Sequence, residues 1–207
     1  MNKNKPQAIK KHLVDQTLIL GSSSIYRKEL LQRLGLNFTT DSPDIDETRK
    51  NGEKPDELVK RLSYEKAKVI SERHSQSLII GSDQVAVNGD QILGKPGNKQ
   101  TAMEQLRQAS GRSVTFLTGL CLLNADTNQF QIDVVQYAVY FRELRSDQIS
   151  AYLDTEQPYN CAGSFKSEGL GVALFEKMEG EDPTALVGLP LIRLVDMLRK
   201  EGVEVLS

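Results

Sequence analysis

The sequence predicts an α/β fold built on a mixed sheet, and three observations carry that expectation. Short apolar runs, Thr17-Leu18-Ile19-Leu20 and Leu78 to Gly81, alternate with segments of helical periodicity. Two longer apolar runs, Val114 to Leu123 and Gln131 to Phe141, are joined around Ala125-Asp126-Thr127-Asn128, which suits an antiparallel pair. The 207 residues are 39% hydrophobic and 26% charged, enough apolar material for a sizeable core without disulfide staples.

Taken in order, residues 1–16 are polar and aperiodic and read as a flexible N-terminal extension, followed by one domain over 17–207. The first strand ends at Gly21-Ser22-Ser23-Ser24. A helix follows from Ile25 to Leu34, with Leu30, Leu31 and Leu34 on one face and Gly35 as its stop. An acidic, Pro-containing connection then holds Asp44, Asp46 and Glu47. The second helix, Pro55 to Arg73, spaces Leu58, Leu62 and Ile70 along one side with Val59 and Ala67 beside them. The strand from Leu78 to Gly81 is expected to end at Ser82-Asp83-Gln84. Val85 to Val87 and Gln91 to Leu93 flank Asn88-Gly89-Asp90, a hairpin signal. Helices are expected over Lys99 to Ala109, Ser146 to Leu153 and Leu189 to Lys200, with a strand at Val172 to Phe175.

Composition narrows the function. Lys and Arg number 26 against 28 Asp and Glu, a net charge of −2, so holding nucleic acid by bulk phosphate neutralisation is not expected. Any bound anion must meet a local set of donors. Cys121 and Cys161 are far apart and in no C-x-x-C spacing, which argues against a disulfide framework or a zinc site. The two histidines, His12 and His74, lie in polar stretches, so a histidine base is not expected. The first residues lack the apolar stretch of a signal peptide, and no run approaches the ~18 apolar residues that span a bilayer. The expected location is cytoplasmic, without a membrane partner.

Several segments could carry chemistry. Gly21-Ser22-Ser23-Ser24-Ile25-Tyr26-Arg27-Lys28 joins a strand end to a helix start, where free N–H groups, hydroxyls and a guanidinium suit a phosphate. Ser24 acting only as a cap, with Arg27 solvated, fits the spacing equally well. Neither the Walker pattern nor G-x-G-x-x-G is present. Asp83, beyond a buried strand, could activate water or hold a metal, or simply form a turn. Asp46 and Glu47 could ligate a hard cation or lie in a solvated loop. Lys66 sits beside an apolar stripe, where lysines usually snorkel. Lys95 could be aimed by its flanks Gly94 and Pro96, or simply be exposed. The glycine-rich run Cys161 to Gly171 reads by itself as a hairpin loop, or as a ligand loop in which Lys166 offers a phosphate-facing cation and Glu168 a hydrogen-bond acceptor.

In this order the segments resemble the Maf family of nucleotide pyrophosphatases, over about Thr17 to Leu206. The resemblance rests on Leu20-Gly21-Ser22-Ser23-Ser24 with Arg27, Glu65-Lys66-Ala67, Gly81-Ser82-Asp83, Gly94-Lys95-Pro96 and Ser110-Gly111. Ala162 to Gly169 and Leu186-Val187-Gly188-Leu189-Pro190 complete it. It implies a Maf/ITPase-like fold, a mixed twisted sheet flanked by helices, with two lobes around a cleft. It also implies hydrolysis of a nucleoside triphosphate between its α and β phosphates, with a divalent cation (Mg²⁺ or Mn²⁺) and a homodimeric assembly. By position, Asp83 matches the proton acceptor, and Ser22, Ser24, Arg27, Lys66 and Lys95 match substrate- or phosphate-facing residues. Glu47, with Asp83, matches the metal-facing positions. Tyr26, Gln84 and Glu168 match positions associated with substrate choice, and their combination looks closest to the branch acting on 7-methyl-GTP. A carboxylate at Glu168 can accept from guanine N1–H and its amine. A ring cation over Tyr26 adds roughly 0.5–2 kcal/mol. Other Maf specificities (dTTP or UTP), or a non-catalytic nucleotide-binding regulator of cell division, are the alternatives. Lys28 departs from the second Arg common in the family, and a lysine lacks the planar fork needed for bidentate phosphate contact.

Overall fold

The computed structural model describes residues 16–206, so the expected extension lies outside the described residues except for Gln16, whose side-chain amide bonds Asn124 and Asp126. Seven strands form one sheet in the order β2-β1-β3-β5-β6-β7, with β4 also pairing with β3. Strands β1 (Thr17–Gly21), β2 (Thr39–Asp41) and the start of β3 (Ser77–Asn88) run parallel. The remaining pairs, through β4 (Gln91–Leu93), β5 (Ser113–Asn124), β6 (Phe130–Phe141) and β7 (Phe175–Gly180), are antiparallel. The expected mixed α/β sheet is present.

Alternation along the long strands sorts the core onto two faces. Leu78, Ile80, Leu120 and Leu122 pack with Leu18 and Leu20 against Leu30 and Leu31 of α1 (Ile25–Gln32) and Leu194, Met197 and Leu198 of α6 (Leu191–Lys200). Further along the same face, Ala86 and Phe116 join a second cluster with Leu106 of α3 (Lys99–Ala109) and Ile149 and Leu153 of α4 (Ser146–Glu156). Short α5 (Pro183–Val187) lies between these two apolar masses. The opposite face belongs to α2 (Pro55–Ser71), whose Leu58, Val59, Leu62, Ala67 and Ile70 cover Ile19, Ile79, Val85 and Leu117. All five apolar positions read from helical spacing in this segment are buried.

Helix α2 sits unusually close to the sheet because two glycines let it. A β-carbon on Gly81 would lie 2.1 Å from the Ser63 carbonyl oxygen, and one on Gly119 2.3 Å from that of Val59. No larger residue fits either spot without shifting the helix. The consequence is local: a side chain on the inner face of α2 can reach β3 directly.

Four expectations need correcting. The strand expected to stop at Gly81 continues to Asn88 as one element, because Val85 to Val87 pair with β5 in unbroken register. Residues Val172 to Leu174 form part of a 3-10 turn, Leu170–Leu174, and strand begins only at Phe175. Three-residue β2 arises in the segment read as a connection. The last helix starts at Leu191, after α5, which its N-cap Asp182 and Pro183 initiate.

Candidate active site

The parallel ladder of β1 and β3 ends at the Gly21–Gly81 pair, whereas β4 meets β3 only from Ala86 onward. Residues 82–85 therefore have a sheet neighbour on the β5 side alone. This gap opens into a cleft of about 880 Å³, within the range of small-molecule sites. Asp83 is thus in mid-strand, not at a strand end as expected. Yet it stands just beyond the C-terminal end of the parallel pair, where chain ends splay apart to admit ligands.

Ser22, Ser24, Tyr26, Arg27, Glu47, Lys66, Asp83, Gln84, Lys95 and Glu168 all line this cleft; Asp46 does not. Asp83 points to the α2 face, and there Lys66 meets it, Nζ to Oδ1 at 2.7 Å. Both side chains are about nine-tenths buried. Lys66 does not snorkel, as lysines beside apolar stripes usually do. The close seat of α2 delivers its ammonium inward, onto two carboxylates. The second is Glu47, whose Oε1 lies 2.7 Å from the same Nζ. Asp46, the other acidic candidate, instead accepts the Thr48 N–H at 2.9 Å, and the Thr48 hydroxyl followed by that N–H holds its carboxyl below the usual range.

At the start of α1, Ser24 caps the helix by accepting the Arg27 N–H, and Ser22 Oγ accepts from Ser24 N and from Arg27 Nη1. Arg27 Nε donates to the Gly188 carbonyl at 2.8 Å, and Ser82 Oγ donates to that carbonyl at 3.0 Å. This gives a reason for the Leu186–Pro190 motif, which carried no role in the sequence. Burial lowers the Arg27 pKa from its ordinary value, while Asp83 and Glu47 pull it back up. The guanidinium keeps its charge and has N–H groups to spare. Lys95 lines the cleft, is exposed, and makes no ion pair among the described residues. Lys28 is not among the lining residues.

Beside Tyr26 in the same cleft stand Cys161, Lys166 and Glu168. Desolvation, then the Cys161 thiol, raises the Tyr26 phenol above its ordinary pKa. Burial does the same to Cys161 against the opposing charge of Lys166. Two assignments change here. Lys166 does not project as a free phosphate cation; its Nζ is tied to Glu156, 2.9 Å from the carbonyl and 3.2 Å from Oε1. Gln84 points to the α5 face, where its amide nitrogen lies near Thr118 Oγ1 and the Ala185 and Leu186 carbonyls at 2.7–3.1 Å. Its donors hold a cleft wall in place, and only its carbonyl oxygen is left to meet a ligand.

Among the described residues no group of three or more His, Cys, Asp and Glu side chains could hold a metal by itself. Asp83 Oδ2 and Glu47 Oε2 nevertheless have no hydrogen-bond partner among them. Two hard oxygen donors facing a cleft fit a cation that completes its shell with waters and substrate phosphates.

A carboxylate clasped by a lysine, with serines and an arginine at a helix mouth, forms an α/β site suited to a polyphosphate. The chain belongs to the Maf family: residues 17–201 match the family described as Maf-like protein. It is 59% identical over 189 residues to a 7-methyl-GTP pyrophosphatase of Pseudomonas syringae pv. syringae, covering 91% of this chain and 98% of that protein. Proteins of the same name from Pseudomonas aeruginosa (58% over 188 residues; 91% and 98%) and Alcanivorax borkumensis (56% over 194 residues; 93% and 98%) are similar to it as well.

Proposed function

We propose that this chain is a nucleoside triphosphate pyrophosphatase that converts 7-methyl-GTP to 7-methyl-GMP and pyrophosphate, clearing a modified nucleotide. The observation carrying this reading is that a single cleft gathers Asp83, its Lys66 clasp, Arg27, Lys95 and the serines of the α1 mouth. The extensive identity to proteins bearing that name supports the substrate.

In this reading water attacks the α-phosphorus, a new P–O bond forms, and the bridging α–β P–O bond breaks with its electron pair leaving on pyrophosphate. Asp83, steadied by Lys66 through Oδ1, takes the water's proton on its other oxygen. Arg27, Lys66 and Lys95 balance the charge that builds on the α-phosphate and leaving group. The α1 mouth holds phosphate oxygens through backbone N–H and serine hydroxyls. A divalent cation, Mg²⁺ or Mn²⁺, would be held by Glu47 and Asp83 and supply further charge neutralisation. Tyr26 and Glu168 sit where a cationic purine ring would find an aromatic face and a carboxylate.

The test is pyrophosphate release from a nucleotide panel with Mg²⁺. Turnover of 7-methyl-GTP ahead of GTP, dTTP and UTP is expected. Release from none would overturn the enzymatic reading and favour a nucleotide-binding regulator. Turnover of dTTP or UTP with 7-methyl-GTP intact would overturn the substrate alone. A homodimer and a cytoplasmic location complete the proposal. Sedimentation and cell fractionation check them; among the described residues no helix is long and apolar enough to cross a membrane.

A further inference from the structure

Glu168 is exposed, and its one hydrogen bond among the described residues comes from the adjacent Ser167 hydroxyl at 2.8 Å. Its own contacts cannot place it, so the flanking backbone must. Both flanks are held by one side chain, Glu156, the last residue of α4. Its Oε2 accepts the Leu170 N–H at 2.8 Å, and its Oε1 and main-chain oxygen accept from Lys166 Nζ. Tyr152, one turn earlier, accepts the Lys166 N–H at 3.1 Å. The chain passes so near that a β-carbon on Gly169 would lie 2.6 Å from Glu156 Oε2, so a larger residue there would push the carboxylate off its anchor points. Glu156 itself does not line the cleft.

Resting on the specificity role proposed for Glu168, the geometry points to Glu156 as a positioning residue that fixes residues 166–170 from both ends and so aims Glu168 at the base. It acts on substrate choice without touching substrate. The carboxylate is spent on Leu170 and Lys166, and these bonds hold its pKa below the ordinary value.

The experiment measures kcat and KM on 7-methyl-GTP and GTP for the wild type, Glu156→Ala, Glu156→Gln, Glu168→Gln and the Glu156→Ala/Glu168→Gln double variant. Glu156→Ala is expected to cut the preference about tenfold, the scale of a lost hydrogen bond to a charged group, chiefly through the KM for 7-methyl-GTP. The kcat for GTP stays within about twofold, because the phosphate machinery is untouched. Glu156→Gln, which keeps an acceptor for Leu170, recovers part of the preference. The double variant loses no more than Glu168→Gln alone, since both act through one carboxylate. An unchanged preference, an equal fall on both nucleotides with a lowered Tm, or additive losses would each overturn the inference. A wild type that prefers another nucleotide overturns the substrate reading instead, and the clamp is then judged on that nucleotide. If Glu168→Gln alone leaves preference intact, the role of Glu168 falls and the clamp with it.

Discussion

In the proposed reaction Asp83 bears the chemistry, and its replacement is the sharpest residue-scale test. Asp83→Asn keeps the shape and a hydrogen-bonding oxygen for Lys66 but removes the proton acceptor, so kcat is expected to fall about 10²- to 10⁴-fold. Nucleotide binding, read by calorimetry, should persist; intact turnover would remove Asp83 from the reaction. The cysteines make a second residue-scale test. Burial in β5 pushes the Cys121 thiol up to about 12, and Cys161 is raised less but lines the cleft. At pH 8 a thiol reagent should label Cys161 slowly, more slowly still with nucleotide bound, and Cys121 only after unfolding. Peptide mass spectrometry separates the two. The sequence revealed the residues' chemistry but not their contacts. Arg61, Tyr152 and Glu156 carried no signal, because they touch the site only through other residues and belong to no local pattern. Gln84 was found for substrate choice, yet its amide is engaged by Thr118 and α5, partners 34 to 102 residues away.

At the scale of elements, α2 organises the site twice. Its inner face is set against β3 by Gly81, so Gly81→Ala should lower stability by about 1–3 kcal/mol or more and weaken catalysis as Lys66 is pushed off Asp83. Thermal unfolding with parallel kinetics checks this, and an unaltered Tm would contradict the close seat. Its outer edge clamps the acidic connection. Arg61 Nε meets Glu53 Oε1 at 2.6 Å and Nη2 meets the Thr48 carbonyl at 3.0 Å, tying down the segment that bears Glu47. The hydrogen bond from Arg61 depresses the Glu53 carboxyl from 4.5 to about 2. A depressed carboxyl contributes stability that is fully present above pH 4.5 and is lost as pH falls through about 2. Glu53→Gln should therefore flatten the acid limb of the stability curve in that window and leave the neutral region's slope unchanged. The periodicity of α2 was legible because its apolar face alternates cleanly. The length of β3 was not, since Gly81-Ser82-Asp83 reads as a turn until β5 is known to pair alongside it.

For the whole molecule, the cleft lies between two apolar masses that share one sheet, with α5 between them. A ligand that binds in this cleft of the folded chain should raise stability by mass action. With a non-hydrolysable 7-methyl-GTP analogue at 100 times its Kd, the gain is about 2.7 kcal/mol. Differential scanning calorimetry reads this as a higher Tm, and no shift at that concentration would count against binding of the nucleotide by the folded chain. Mixed α/β architecture was legible from the alternation of apolar runs with helical segments. The position of the cleft was not, because it depends on where two strands stop.

That stopping point has a consequence of its own. The mouth over Asp83 exists because neither β1 nor β4 extends alongside residues 82–85. Two strand-forming residues inserted after Gly21 would carry the pairing forward like a zip and roof the aspartate with main chain. Such a protein should lose its turnover, because the unfinished seam is closed and Arg27 is carried off the Gly188 carbonyl with it.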